Sequence, residues 1–263
     1  MTVFNRHTVS RHRDRAAAGL LDHDFLFTEV GERLADRLDD VKRTFPVALD
    51  LGCRTGILGR LLNGRGGIET LVQSDLSAAM VTRAGGVSVV ADEEYLPYGE
   101  ASFDLVLSNL TLHWINDLPG TLAQVRRSLK PDSLFLAAML GGDTLVELRQ
   151  MLYAAETELD GGLSPRVSPF ADVRDLGNLL TRAGFMLPVA DTETITVSYP
   201  HPMRLMDDLR GMGESNAQIH SRKGFTRRTV LMAAAERYIE TFGDSDGRIP
   251  ATFQVVYLTA WSP

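Results

Sequence analysis

One cysteine, Cys53, stands in 263 residues. It excludes an intramolecular disulfide and a cysteine metal cluster. Basic side chains are outnumbered, 27 Lys and Arg against 34 Asp and Glu, for a formal net charge of -7. A sequence pI near 5.4 speaks against a general nucleic-acid binder. No apolar run approaches the roughly 18 residues of a membrane helix, so no stable membrane insertion is expected. The start lacks a basic n-region followed by an apolar h-region, which speaks against a secretory signal. Cytoplasm is the expected location. Internal repeats and low-complexity linkers are also lacking, so residues 1–263 are expected to form a single domain.

What is there is ordinary globular material, 44% apolar and 23% charged. A basic stretch, Arg6, His7, Arg11, His12, Arg13 and Arg15, opens the chain. Asp14, Asp22 and Asp24 interrupt it, unlike a transit peptide. Residues 1–44 are read as a helical lid: either a solvated helix or a basic cover over a site that binds a carboxylate.

From Val47 onward, apolar strand-like runs alternate with amphipathic helical ones. Strands are predicted at Val47–Leu51, Leu71–Asp75, Val87–Asp92, Phe103–Leu110 and Leu134–Leu140. Helices are predicted at Thr55–Asn63 and Leu118–Leu129, and Lys130-Pro131-Asp132 reads as a turn. Helices are then expected at about 144–158, at Val173–Ala183, Arg204–Met212 and Arg228–Phe242, and strands at Thr192–Tyr199 and Phe253–Trp261. The expectation is an α/β Rossmann-like fold: a seven-stranded, mostly parallel sheet with helices on both faces and a helical insertion over 201–243.

The informative stretch is Asp50-Leu51-Gly52-Cys53-Arg54-Thr55-Gly56. A strand ends, a glycine turn follows and a helix begins, which is where doubly wound folds seat a nucleotide-like cofactor. Gly52 lets the backbone approach the ligand; Gly56 lets helix and strand pack closely. Asp75 and Leu76 follow about 20 residues on, where an acid accepts ribose hydroxyls. Asp92 and Glu93 close the third strand with a carboxylate for an adenine amino group, and Asn109 closes the fourth. A dinucleotide fingerprint would need a glycine at Arg54. Asp50 would face a diphosphate unfavourably but suits the α-ammonium of a methionine. S-adenosylmethionine (SAM) therefore fits better than NAD.

At these residues the chain resembles the class I, type 11 methyltransferases, in which Asp-Leu-Gly-Cys-Gly-x-Gly is usual. Further strings narrow the likeness. They include Ala91-Asp92-Glu93-Glu94-Tyr95-Leu96-Pro97, Leu112-His113-Trp114-Ile115-Asn116-Asp117, Ser164-Pro165-Arg166-Val167-Ser168-Pro169-Phe170 and Gly211-Met212-Gly213-Glu214-Ser215-Asn216. They resemble the mitochondrial respiratory complex I assembly family (alpha-subcomplex assembly factor five) and its bacterial relatives, from Val3 nearly to Trp261. The resemblance implies a methyltransferase fold, SAM as cofactor, and an arginine on an iron–sulfur subunit of NADH:quinone oxidoreductase as substrate. The family has been assigned to hydroxylation of that arginine.

Three functions stay open. One is a methyltransferase acting on a small molecule or acyl carrier. The second is the arginine hydroxylase, and the third is a SAM-binding assembly chaperone without catalysis. Methyl transfer needs mainly proximity and alignment, so no catalytic motif need appear. His113 is the best general base, or else a packing histidine beside Trp114. Glu214, with Asn216, is placed to hold a guanidinium through a carboxylate fork, or else is a helix cap or surface acid. Asp143 reads as a helix cap or a substrate contact. Arg54 lies over the methionine end of the cofactor, pairs with its carboxylate, or points to solvent. His12-Arg13-Asp14 is the only His-x-Asp string, and no metal site is expected from it.

Overall fold

A computed structural model describes residues 2–222, 224 and 226–263. Five strands follow the βα alternation: β1 Val47–Leu51, β2 Thr70–Asp75, β3 Val87–Val90, β4 Phe103–Asn109 and β5 Leu129–Leu140. Two long strands, β6 Met186–Tyr199 and β7 Ile249–Trp261, complete one seven-stranded sheet in the order β3-β2-β1-β4-β5-β7-β6. The first five strands pair parallel, and β7 runs antiparallel to both β5 and β6. The order reverses at β1, so the crevice beyond the carboxyl ends of β1 and β4 is the topological switch point where such sheets take ligands.

The nine α-helices among the described residues are α1 Arg6–Ala16, α2 Phe25–Asp39, α3 Ile57–Leu62, α4 Ala78–Ala84, α5 Leu118–Ser128, α6 Val146–Leu159, α7 Val173–Arg182, α8 Pro202–Gly211 and α9 Arg228–Phe242. α8 and α9 fall between β6 and β7, as the sequence suggested. Buried apolar side chains form two large clusters. One joins α2, α3, α6 and α9 to Leu105, Leu107 and Leu136; the other joins α5 and α7 to Leu49, Val106 and Phe135. Alternate residues of β4 thus enter opposite clusters, as expected of a sheet covered on both faces.

Several boundaries differ from the sequence reading for local reasons. α3 is shorter because Gly56 and Asn63, at φ 74 and 40, frame it in left-handed geometry. β3 stops at Val90, leaving Asp92 in the following turn. β6 begins earlier than Thr192: its first residues pair with β7 across a bulge, and exposed Met186, Leu187 and Val189 hide the alternation. The Lys130–Asp132 turn is taken up inside β5, with Asp132 at φ 60 and a register shift against β4. α4, capped by Ser77 through Met80 N, carried no prediction.

Candidate functional site

The β1 turn is fixed from below. Gly52 and Cys53 donate their N–H groups to Ser74 O at 2.8 and 2.9 Å. Gly52 sits at φ 80, and a Cβ there would lie 2.2 Å from Thr111 Oγ1. The position requires glycine on both counts. At Gly56, φ 74, a Cβ would lie 2.7 Å from Gln73 Oε1 on β2 and 3.0 Å from the carbonyl oxygen of Ala84.

Asp75 closes β2. Its carboxylate accepts from Ser77 N at 2.8 Å, from Arg54 N at 3.1 Å and from Arg13 Nη1 at 3.1 Å. The same Arg13 nitrogen donates to Glu93 Oε1 at 2.6 Å, and all three side chains are fully buried. Arg6, two turns earlier on α1, donates to Asp92 Oδ1 at 2.7 Å and also to Glu93. Burial alone would raise Glu93; Arg13 and Arg6 outweigh it and hold the carboxyl down to about 2. Half-buried Leu76 packs with Phe4, Val9 and Trp114 beside this network. The basic segment does cover carboxylates, but they belong to the protein itself.

Asp50 is the exception. Both its oxygens are buried and have no hydrogen-bond partner. Burial, and then the charge of Asp75, push it up to about 8. It borders a cavity of about 10 Å³ shared with Phe27, Gly52, Arg54 and Asn109. Asn109 donates Nδ2 to Phe27 O at 2.8 Å and leaves Oδ1 unpartnered. These orphaned acceptors fit the ammonium end of SAM chemically. The room is that of about one water, so this form of the site is closed to a nucleoside.

Arg54 does not point to solvent. It is 2% exposed, at φ 53, and its Nη2 donates to Glu214 and, at 3.3 Å, to Leu110 O. Its guanidinium carbon lies 4.8 Å from the Phe27 ring centroid. Glu214 is neither a cap nor a surface acid: its other oxygen accepts from Trp114 Nε1 at 2.7 Å and lies 3.1 Å from His113 Nε2. Burial would raise Glu214, but Arg54 and His113 hold it down to about 2. Burial pulls His113 below its ordinary value despite Glu214. An ionised Glu214 fixes the proton of a neutral His113 on Nε2, leaving Nδ1, buried without a partner, as the free lone pair. On its far side Glu214 lines an apolar cavity of about 390 Å³ with Leu26, Trp114, Leu148, Phe170 and Phe253.

Two expectations are corrected, those for Asn216 and for Asp143 as a helix cap. Asn216 is not part of a fork with Glu214; it donates Nδ2 to Pro165 O at 2.8 Å and accepts from Gln218 N. Asp143 is exposed and accepts from Gln254 Nε2 at 3.1 Å, while Leu145 holds the N-cap position of α6. His12 and Asp14 turn apart, to Ser215 O and Ser77 Oγ. Among the described residues no three His, Cys, Asp or Glu side chains group as metal ligands, and no helix is long and apolar enough to cross a membrane. Phe27 and Thr111 escaped sequence reasoning altogether. Arg6 and Arg13 carried a signal in their seven-residue spacing, which puts both on one helix face.

Residues 49–137 match the family model described as a methyltransferase domain. The chain is 49% identical over 267 residues to the human protein named arginine-hydroxylase NDUFAF5, mitochondrial, covering 99% of this chain and 77% of that one. It is 35% identical over 275 residues to a malonyl-[acyl-carrier protein] O-methyltransferase of Methylovorus, covering 99% and 90%. A putative methyltransferase structure from Bacillus halodurans superposes with a TM-score of 0.61 at 15% identity, over 88% of this chain and 98% of that one. The expected cytoplasmic location does not stand: the human relative and its counterparts from Danio rerio, Rattus norvegicus and Mus musculus are named as mitochondrial proteins. The fold is that of the SAM-dependent methyltransferases, and SAM is the cofactor of such a domain. The chain belongs to the methyltransferase-domain family that includes the NDUFAF5 arginine-hydroxylases and the malonyl-carrier O-methyltransferases.

Proposed function

We propose that this chain is a SAM-binding enzyme that modifies an arginine side chain of a protein partner, an iron–sulfur subunit of NADH:quinone oxidoreductase being the first candidate. One observation carries the reading. Glu214, ionised and held by His113 and Trp114, already binds a guanidinium between the cofactor edge and an apolar cavity. A buried carboxylate fixed by neutral donors selects a cation, and a planar one best. The human relative's name, arginine-hydroxylase, supports the same acceptor.

Within this reading SAM, when bound, supplies an activated methyl group. Asp50 holds the α-ammonium, and Asp75 the ribose hydroxyls. Asp92 and Glu93 take the adenine amino group. Gly52 and Gly56 keep the turn close to the ligand, and Leu76 and Asn109 complete the lining. Seating the nucleoside requires Arg13 and Arg6 to leave Asp75, Asp92 and Glu93, so α1 acts as a lid. At the acceptor, Glu214 orients the guanidinium, and His113 holds that carboxylate in place through Nε2. Arg54 separates the two halves.

The test is intact-mass analysis of the iron–sulfur subunit from cells with and without this gene. A gain of one methylene supports methylation by SAM, and a gain of one oxygen supports hydroxylation, in which molecular oxygen and two electrons from an external reductant join SAM as co-reactants. An unchanged mass overturns the reading. The apolar cavity favours a second reading, transfer to a carrier-bound acyl group as the Methylovorus relative's name describes. Release of S-adenosylhomocysteine on adding a malonyl carrier would select it.

A further inference from the structure

Arg54 occupies a position that asks for glycine. Its φ of 53 lies in the left-handed region, and the turn itself uses only its backbone N–H, donated to Asp75 Oδ2 at 3.1 Å. The reason for an arginine must lie in the side chain. That side chain is buried, yet Nε and Nη1 find no partner; Nη2 alone is bound. Two of the three guanidinium nitrogens are thus left without a partner, as they also are in buried Arg13. The groups around it are fixed independently of it. Trp114 and His113 hold the Glu214 carboxylate, Leu110 N donates to Ala138 O at 2.8 Å, and Phe27 lies on α2 with its carbonyl accepting from Asn109. Carboxylate, carbonyl and aromatic face thus form a preformed guanidinium seat that its present occupant fills imperfectly.

The location adds a second argument. Arg54 borders the small cavity beside Asp50, and Glu214 borders the large apolar cavity. The Arg54 guanidinium is therefore the partition between cofactor edge and acceptor space. Chemistry between the two requires it to move.

We propose that Glu214, Leu110 O and the Phe27 ring form the acceptor guanidinium seat, that Arg54 occupies it as an internal stand-in, and that a partner's arginine takes its place when Arg54 withdraws. This rests on the arginine-acceptor reading above. Arg54 also confers specificity: its withdrawal frees a carboxylate, so a cationic entrant is favoured over a neutral or anionic one.

The probe is ethylguanidinium, with ethylammonium as the control for charge alone. Thermal unfolding and Trp fluorescence are followed at millimolar probe for the full-length wild type, R54G and R54G/E214Q. Glycine suits the backbone at this position, so R54G retains the turn. R54G should gain melting temperature with ethylguanidinium and bind it at least about tenfold more tightly than ethylammonium or than the wild type does. R54G/E214Q should lose that gain. Equal response of R54G and wild type, or a response that survives E214Q, overturns the seat. Should R54G be unfolded, R54Q carries the same comparison. Refolding of either by ethylguanidinium supports the proposal, and failure of both to respond overturns it. Rescue without any mass change on the iron–sulfur subunit would keep the seat and sink the arginine-acceptor reading. A mass change without rescue would sink the seat alone.

Discussion

Arg13 Nη1 lies 2.6 Å from Glu93 Oε1, both side chains wholly buried, with Asp75 on the same nitrogen at 3.1 Å. One guanidinium from the first helix thereby ties the end of β2 to the turn that follows β3. Burial opposes the charge on Arg13, but Asp75 and Glu93 more than offset it and raise its value further. α1 is held by electrostatics rather than by a broad apolar face, since among its residues only Val9, Arg13 and Ala16 are buried.

Removing Arg13 should therefore be costly. R13M keeps the apolar stem and deletes the charge, leaving buried Asp75 without its cation and Glu93 with Arg6 alone. Breaking a buried pair in this way costs about 3–5 kcal/mol. Urea unfolding should show the midpoint falling with the slope unchanged, and R13M/E93Q should recover part of the loss. An R13M midpoint within error of wild type would contradict the network.

The same network sets an acid limit. Glu93 and Glu214 are each held down to about 2 in the folded state. Their folded values lie below their unfolded ones, so the stability they contribute is complete above the unfolded range near 4.3 and is lost as pH falls toward 2. Melting temperature should drop more steeply below pH 4.5 for wild type than for E93Q/E214Q. Parallel curves for the two proteins would show that these carboxylates are not held as described.

Much of this site was legible in the sequence. An apolar strand ending in Asp50-Leu51-Gly52 admits few alternatives, because a glycine turn after a buried strand fixes where the helix starts. Asp75 and Asn109 followed from reading the ends of β2 and β4. What was hidden is what those acids touch. Arg13 meets Glu93 across 80 residues and Arg54 meets Glu214 across 160, and no local period records an ion pair at such range. Asn216 failed for the opposite reason: its proximity in sequence to Glu214 suggested a shared fork, but the loop turns its amide to Pro165. The start of β6 was missed because an exposed edge strand buries too little to alternate.

Gly52 offers a sharper test of the turn. G52A places a Cβ 2.2 Å from Thr111 Oγ1 at a φ of 80. The dihedral alone costs about 1–3 kcal/mol, and Thr111 is buried and bound to Gly52 O, so it has nowhere to yield. G52A should unfold at lower denaturant and lose SAM uptake in calorimetry. G52A/T111G should recover stability in part. Full SAM binding by G52A would mean that the turn does not approach the ligand.

Asp50 couples cofactor binding to protons. Pushed up to about 8, it is largely protonated in the closed form at neutral pH. Because its folded value lies above its unfolded one, its stabilising contribution is present below about pH 4 and is lost as pH rises toward 8. An ammonium ion settling against it would return it to the carboxylate, releasing about one proton. Titration calorimetry with SAM near pH 6.5, in buffers of different ionisation enthalpy, should show that release. D50N should release none, bind at least about tenfold more weakly, and lose the decline in stability between pH 4 and 8. Proton release unchanged in D50N would place the coupled group elsewhere, and the assignment of the ammonium to Asp50 would fall.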